Sequence, residues 1–202
     1  ILGISAGFHD AAVTVVNNHG EIVFAGHSER YSKKKNDEHL NDLLLEDAFQ
    51  YGEPDLLAYY ERPWVKKIQQ LYSGQYSEAF NLHNLTLNQY INKHISSMVY
   101  RGRLLRCNRR YMSHHLSHAA AGFQTSPFTR ATVVVIDAIG ELDTISIWGA
   151  EYKNGKAKYT KLWGQRYPHS IGLFYSAMTK RVGLKPLDEE YIMMGMSAYG
   201  ER

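Results

Sequence analysis

Apolar and polar positions follow two rhythms along the chain, and the change of rhythm marks its elements. Ile1 to Ser5 is short and apolar, Ala12 to Val16 is rich in valine, and Glu21 to His27 is again β-rich. Runs of this length and composition read as strands. Ala6-Gly7-Phe8-His9-Asp10 separates the first two, and Asn17-Asn18-His19-Gly20, whose residues tolerate positive φ, separates the next two. Short turns between successive strands predict an antiparallel β-meander. Leu40, Leu43, Leu44, Ala48 and Tyr51 then recur at helical spacing, with Gly52 placed to end the helix. Leu56 to Tyr60 reads as a strand. Pro63, Trp64, Ile68 and Leu71 read as a helix with proline in its first turn. Residues 73–105 are polar, with weak helical periodicity at Leu87, Tyr90, Ile91, Ile95 and Met98. They are expected to belong to a helical insertion or lid spanning about 63–105.

The second half repeats the theme. Tyr111 to Ser113 is a short strand, His114 to Phe123 an alanine-rich helix, and Ala131 to Asp137 a strongly apolar strand that reads as buried. Thr144 to Tyr152 and Lys156 to Trp163 form a hairpin across Asn154-Gly155, the most specific turn signal in the chain. Ile171 to Val182 and Asp188 to Tyr199 read as helices. Mixed strands and helices predict an α/β or α+β layer architecture.

Composition narrows the class. A chain of 202 residues with 44% hydrophobic and 21% charged side chains can bury a core as one domain or two small lobes, which excludes disorder as the main description. It contains no apolar run of the length a membrane span needs and no charged-then-apolar leader, so no membrane partner is expected. The single cysteine, Cys107, cannot form an internal disulfide and fits a reducing, cytoplasmic setting. The chain starts at Ile1 and stops two residues past Gly200, which reads as a piece of a longer protein. The net charge is +3, yet Arg101, Arg103, Arg106, Arg109 and Arg110 alone supply +5 in an acid-free stretch, so the remainder nets −2. Lys33, Lys34 and Lys35 form a second basic run near Arg30. Such clusters attract phosphate, and they equally fit a solvated face or a flexible loop.

Four constellations can carry chemistry. In His114-His115-Leu116-Ser117-His118, the first and last histidines are four apart and share one helix face, where both rings can meet one ion. The spacing also fits a helix surface with incidental imidazoles. The small apolar residues that follow, Ala119 to Gly122, favour a helix packed closely against a neighbour, with the pair aimed at a cleft. Next, Val133 to Ile136 runs into Asp137, Gly140 and Glu141. An acid at the C-terminal end of a core strand is where α/β folds place ligand groups, and Gly140 lets backbone N–H groups approach a phosphate. A solvated turn acid is the plainer reading. His9-Asp10 is a general base or substrate-binding pair, or a loop-capping aspartate. Asp188-Glu189-Glu190 opens a helix whose dipole favours acids, and Met193, Met194 and Met196 read as core packing.

Taken together, these segments resemble the O-carbamoyltransferases that carbamoylate nodulation factors and antibiotics. That family is similar to the tRNA threonylcarbamoyl transferases and the hydrogenase-maturation carbamoyltransferase. The resemblance rests on Leu2-Gly3-Ile4 with His9-Asp10, on Gly20 to Val23, and on Glu29-Arg30-Tyr31-Ser32 with Lys35. It continues through His114-His115-Leu116-Ser117-His118-Ala119-Ala120, Asp137 to Glu141, Pro168 to Tyr175, and Glu189 to Gly200. The motifs run in order over essentially the whole chain. Ala138 stands where the family has the first glycine of its phosphate turn, and Ile192 where it has a lysine.

The resemblance implies an N-terminal lobe of actin, hexokinase and heat-shock-chaperone type, a ribonuclease H-like α/β fold, over residues 1–202. It implies that the second lobe and an adenylate-forming domain lie outside this chain. It makes His114, His118 and Asp137 ligands of iron(II) or another divalent metal, and Asp137, Gly140 and Glu141 the nucleotide-binding turn. His9 and Asp10 become the catalytic pair, with Asp10 as base. The implied reaction transfers a carbamoyl group from carbamoyl-adenylate, made from carbamoyl phosphate and ATP, to the hydroxyl of a small-molecule acceptor. Nucleic acid is not an expected partner. The alternative is a non-catalytic or nucleotide-binding relative of the same fold that acts as a binding module.

Overall fold

In the computed structural model, which describes residues 1–8, 10–80 and 85–200, the chain divides into two units, Ile1–His114 and His115–Arg202. The first opens with strands β1 (Leu2–Ser5), β2 (Ala12–Val16) and β3 (Ile22–His27), followed by helices α1 (Ser28–Ser32) and α2 (Asp42–Phe49). Strand β4 (Leu56–Tyr59) leads into α3 (Pro63–Tyr72), α4 (Tyr76–Phe80), α5 (Leu87–His94) and α6 (Met98–Arg106), and β5 (Asn108–Tyr111) closes the unit. Its sheet has five strands in the order β3-β2-β1-β4-β5. The first three strands pair antiparallel, as the short turns predict, whereas β4 and β5 are parallel to β1.

Register explains the core. Leu2 lies opposite Val15 and Leu57, and Ile4 opposite Val13 and Tyr59, so the period-two residues converge on one face. Leu44, Leu45 and Ala48 of α2, Leu87, Tyr90 and Ile91 of α5, and Leu104 of α6 join the same core. The polar stretch read as an insertion or lid therefore supplies core side chains. Leu87, Tyr90, Ile91, Ile95 and Leu104 are fully buried, whereas Met98 is exposed, and burial of each inward residue is worth about 1.5–3 kcal/mol. Local chemistry sets the helix starts: Asn41 caps α2 by accepting from the Leu44 N–H, and Thr86 and Gln89 form a reciprocal capping box on α5.

The second unit contains α7, which begins at the boundary residue (His114–Gln124), then β6 (Arg130–Ile136), β7 (Asp143–Lys153), β8 (Lys156–Arg166), α8 (Ile171–Arg181) and α9 (Glu190–Met196). The three strands form an antiparallel sheet in the order β6-β7-β8. Asn154 and Gly155 turn the β7–β8 hairpin with φ of 53° and 72°, the left-handed geometry expected of that pair. One expectation fails. β6 is not a buried strand: Val135 is buried, but Val134 and Ile136 are 55% and 56% exposed. An edge strand with one covered face alternates in burial however apolar its sequence. Likewise, β5 starts at Asn108, inside the arginine stretch, rather than at Tyr111.

Candidate functional site

The alanine-rich sequence after the histidines favours helix, and α7 places His114 and His118 one turn apart on the same face. β6 ends at Ile136, so Asp137 is the first residue of the turn beyond it. One ring nitrogen from each histidine and one Asp137 carboxylate oxygen all lie within 4.8 Å of one another. Donors that share one ion at about 2.0–2.2 Å each must be this close, so the set fits a metal.

The turn that carries Asp137 is built with care. The Asp137 N–H donates to the Thr144 carbonyl at 2.9 Å, and the Ala138 N–H donates to Asp137 Oδ1 at 2.6 Å. Ser170 caps α8 by accepting from the Leu173 N–H, and its hydroxyl reaches the Ala138 carbonyl at 2.7 Å. Gly172 follows because nothing larger fits: a Cβ there would sit 2.6 Å from the backbone of Ala138. The Thr144 hydroxyl donates to the His169 carbonyl at 2.5 Å, tying β7 to the segment before α8.

Gly140 also has a packing use that the sequence did not suggest. Its N–H donates to the Asp143 carbonyl at 2.9 Å, and a Cβ on it would lie 2.6 Å from the His115 ring. The glycine makes room for a buried imidazole whose Nδ1 is 2.6 Å from Ser146 Oγ. His115, between His114 and His118 in sequence, is thus a packing residue, and Glu141 is also buried.

In the first unit, His114 meets a carboxylate that the sequence reading missed. Glu61, just past β4, is only 6% exposed, and its Oε2 lies 3.6 Å from His114 Nδ1. Lys66 Nζ of α3 lies 3.2 Å and 3.4 Å from the two carboxylate oxygens and 4.5 Å from the centre of the Phe8 ring. Burial opposes ionisation of Glu61, but His114 and Lys66 outweigh it, and its carboxyl is held below the usual range. The Tyr60 ring packs edge-on against His114 at 5.6 Å. The signal that could have found Glu61 is the one that found Asp137: an acid just beyond an apolar strand.

Asp10 keeps different company. It has a left-handed φ of 51°, and it groups with His27 and Glu29, not with the α7 histidines. Its Oδ1 is 3.7 Å from His27 Nε2. His9, its expected partner in catalysis, lies outside the described residues.

Residues 1–202 match the family described as carbamoyltransferase N-terminus. The chain belongs to that family. An uncharacterized protein of Synechocystis is 32% identical over all of this chain, and an uncharacterized protein of Methanocaldococcus jannaschii is 26% identical over 98% of it. The nodulation protein NolNO of Sinorhizobium fredii is 25% identical over 96% of the chain. The chain spans 35%, 33% and 28% of these three relatives, about a third of their length.

In this carbamoyltransferase N-terminus, the arginine cluster is largely committed to the fold. Arg101 donates to the Ile95 carbonyl, and Arg109 to the carbonyls of Leu104, Leu105 and Cys107 at the end of α6. Arg103 pairs with Glu53 and lies over the Phe49 ring. Three of the five guanidiniums in the run, those of Arg101, Arg103 and Arg109, thus bind backbone carbonyls or a carboxylate within the fold. Among the described residues, no helix is long and apolar enough to cross a membrane.

Proposed function

We propose that this chain is the metal-binding part of a carbamoyltransferase that moves a carbamoyl group from carbamoyl-adenylate to an acceptor hydroxyl. The observation that carries the reading is the convergence of His114, His118 and Asp137 in a chain of this family. Two imidazoles and one carboxylate form the donor set that suits iron(II), and another divalent ion is the alternative. The ion would act as a Lewis acid that polarises the carbamoyl group. The first unit's sheet order, with only β2 antiparallel to the rest, supports a ribonuclease H-like lobe of the actin type.

The protein's own groups would then work as follows. Asp10 takes the proton from the acceptor hydroxyl as that oxygen bonds to the carbamoyl carbon. The bond from that carbon to the adenylate oxygen breaks, and AMP leaves as the anion. His9 is assigned beside Asp10 at this step. Phosphate of the nucleotide approaches the Asp137–Glu141 turn through groups other than the Gly140 N–H, which already donates to Asp143. Carbamoyl phosphate and ATP are the upstream reactants, and their activation belongs to parts of the protein beyond this chain.

The test is His118→Ala in the whole protein, with metal content and carbamoyl transfer measured together. Loss of one ligand should weaken cobalt(II) or iron(II) binding by more than the ~100-fold that an outer partner commands, and transfer should fall with it. A variant that retains both metal and transfer would overturn the site assignment.

A further inference from the structure

Glu61 is a buried, negatively charged group that the reaction outlined above does not use. A carboxylate in such a place is costly unless partners satisfy it. Lys66 supplies one partner at 3.2 Å. The other is His114, at 3.6 Å from Oε2 to Nδ1. It is Nδ1 of His114 that meets this carboxylate, and the ring is further held by Tyr60 packing at its edge. Histidine ligands of metals commonly give their second N–H to a carboxylate, which fixes the tautomer and strengthens the ligand. The separation is slightly long for a hydrogen bond, and contacts of this kind tighten when the site is engaged.

We propose that Glu61 is a positioning residue: it holds His114 in the tautomer protonated at Nδ1 and leaves Nε2, with its lone pair, to face the ion. This rests on the metal reading of His114, His118 and Asp137. Lys66 has a defined part in the same arrangement. Its ammonium donates to both Glu61 oxygens, at 3.2 Å and 3.4 Å, and so fixes the carboxylate beside the imidazole. The device links the end of β4 to the first residue of α7, both within the first unit.

The test has two readouts on the whole protein, with cobalt(II) alone as the probe. The first is the ¹⁵N shift of the His114 ring nitrogens in metal-free protein labelled at histidine. The second is the affinity for cobalt(II) by optical titration. Wild type should show a single Nδ1-protonated tautomer. Glu61→Leu, which removes charge and acceptor together, should mix the tautomers and weaken cobalt(II) by ~10–100-fold. Glu61→Gln keeps an acceptor oxygen but not the charge. It should hold the tautomer while binding cobalt(II) several-fold to ~10-fold more weakly. Either variant, folded by its cooperative melt yet with wild-type affinity, would overturn the proposal. So would an Nε2-protonated ring in wild type. If wild type locks the tautomer but binds no cobalt(II), the metal reading falls while the hold of Glu61 on His114 stands.

Discussion

The two units keep their order by different means. The first is built on apolar burial: Leu2, Leu44, Leu45, Leu57, Ile91 and Leu104 are each at or below 2% exposure around one sheet face. The second buries few large apolar side chains, chiefly Phe123 with Val135 and Ala150, and its interior holds Thr144, Ser146, Thr179, His115 and Glu141. There, hydroxyls and backbone groups tie one turn in place, and that turn carries Asp137. Apolar burial has no direction, whereas hydrogen bonds fix distance and angle. The difference is the one expected between a scaffold and a segment that, on the proposed reading, holds a donor atom in position.

The largest effect that would test this contrast lies in the first core. Leu44→Ala should destabilise by about 2–5 kcal/mol, through lost burial and the cavity left behind. Val134→Ala, on the open face of β6, should stay within about 0.5 kcal/mol although the wild-type residue is as apolar. Urea midpoints of the two variants decide the matter, and similar losses would erase the distinction.

A second test sits at the turn. Gly172→Ala would drive a methyl group into the rigid backbone of Ala138, for a cost of about 1–3 kcal/mol or more. Gly122→Ala, on α7, meets nothing within 4 Å and should stabilise by about 0.5–1 kcal/mol. Thermal melts of both variants check the pair. A neutral Gly172→Ala would mean that the turn yields, and the second unit would then be no more rigid than an ordinary loop.

Legibility in the sequence follows the same divide. Period-two and helical spacing exposed β1, β2, β4 and α2, because there Leu2, Ile4, Val13, Leu57, Leu44 and Ala48 face inward; the same spacing found α3, although there Ile68 is exposed and Gln69 is buried. On β7 the rule inverts: Thr144 and Ser146 are fully buried, while Ile145 and Ile147 are half-buried. A polar residue turns inward when a partner waits there, here the His169 carbonyl for Thr144 and the His115 and Trp148 rings for Ser146. His169 and His115 are distant in sequence from the hydroxyls they meet and leave no periodic trace. The His114–His118 pair was readable from spacing, and Asp137 from its strand end. Glu61 carries the same strand-end signal, but what gives it weight, Lys66 and His114 meeting it in space, leaves no mark in the sequence. Gly140, read as a phosphate-turn glycine, also admits His115, a role only the packing reveals.

The smallest expected effect sharpens the contrast from the other side, where polarity intrudes on the first core. His94 of α5 stacks on His39, with ring centres 4.1 Å apart, and both rings lie near Tyr90, whose hydroxyl accepts from the Leu40 N–H at 2.9 Å. Burial disfavours the charged His94 ring, and His39 and Lys93 add to this, while Glu38 works against it. The folded value therefore lies below the ordinary 6.5. A histidine depressed by folding is stabilising when neutral, so its contribution is present above about pH 6.5 and is lost as pH falls through the lower folded value. Asp37 nearby is also lowered, by the Ser32 hydroxyl, the His39 N–H and Lys34 against the cost of burial. Its own loss comes only below the ordinary carboxyl value of 3.8, so the two windows do not overlap. Stability followed by urea should thus fall between pH 7 and pH 5 in wild type, and His94→Gln should flatten that slope while keeping the fold. Equal slopes in the two proteins would place the acid sensitivity elsewhere and leave the first unit as indifferent to charge as its apolar core implies.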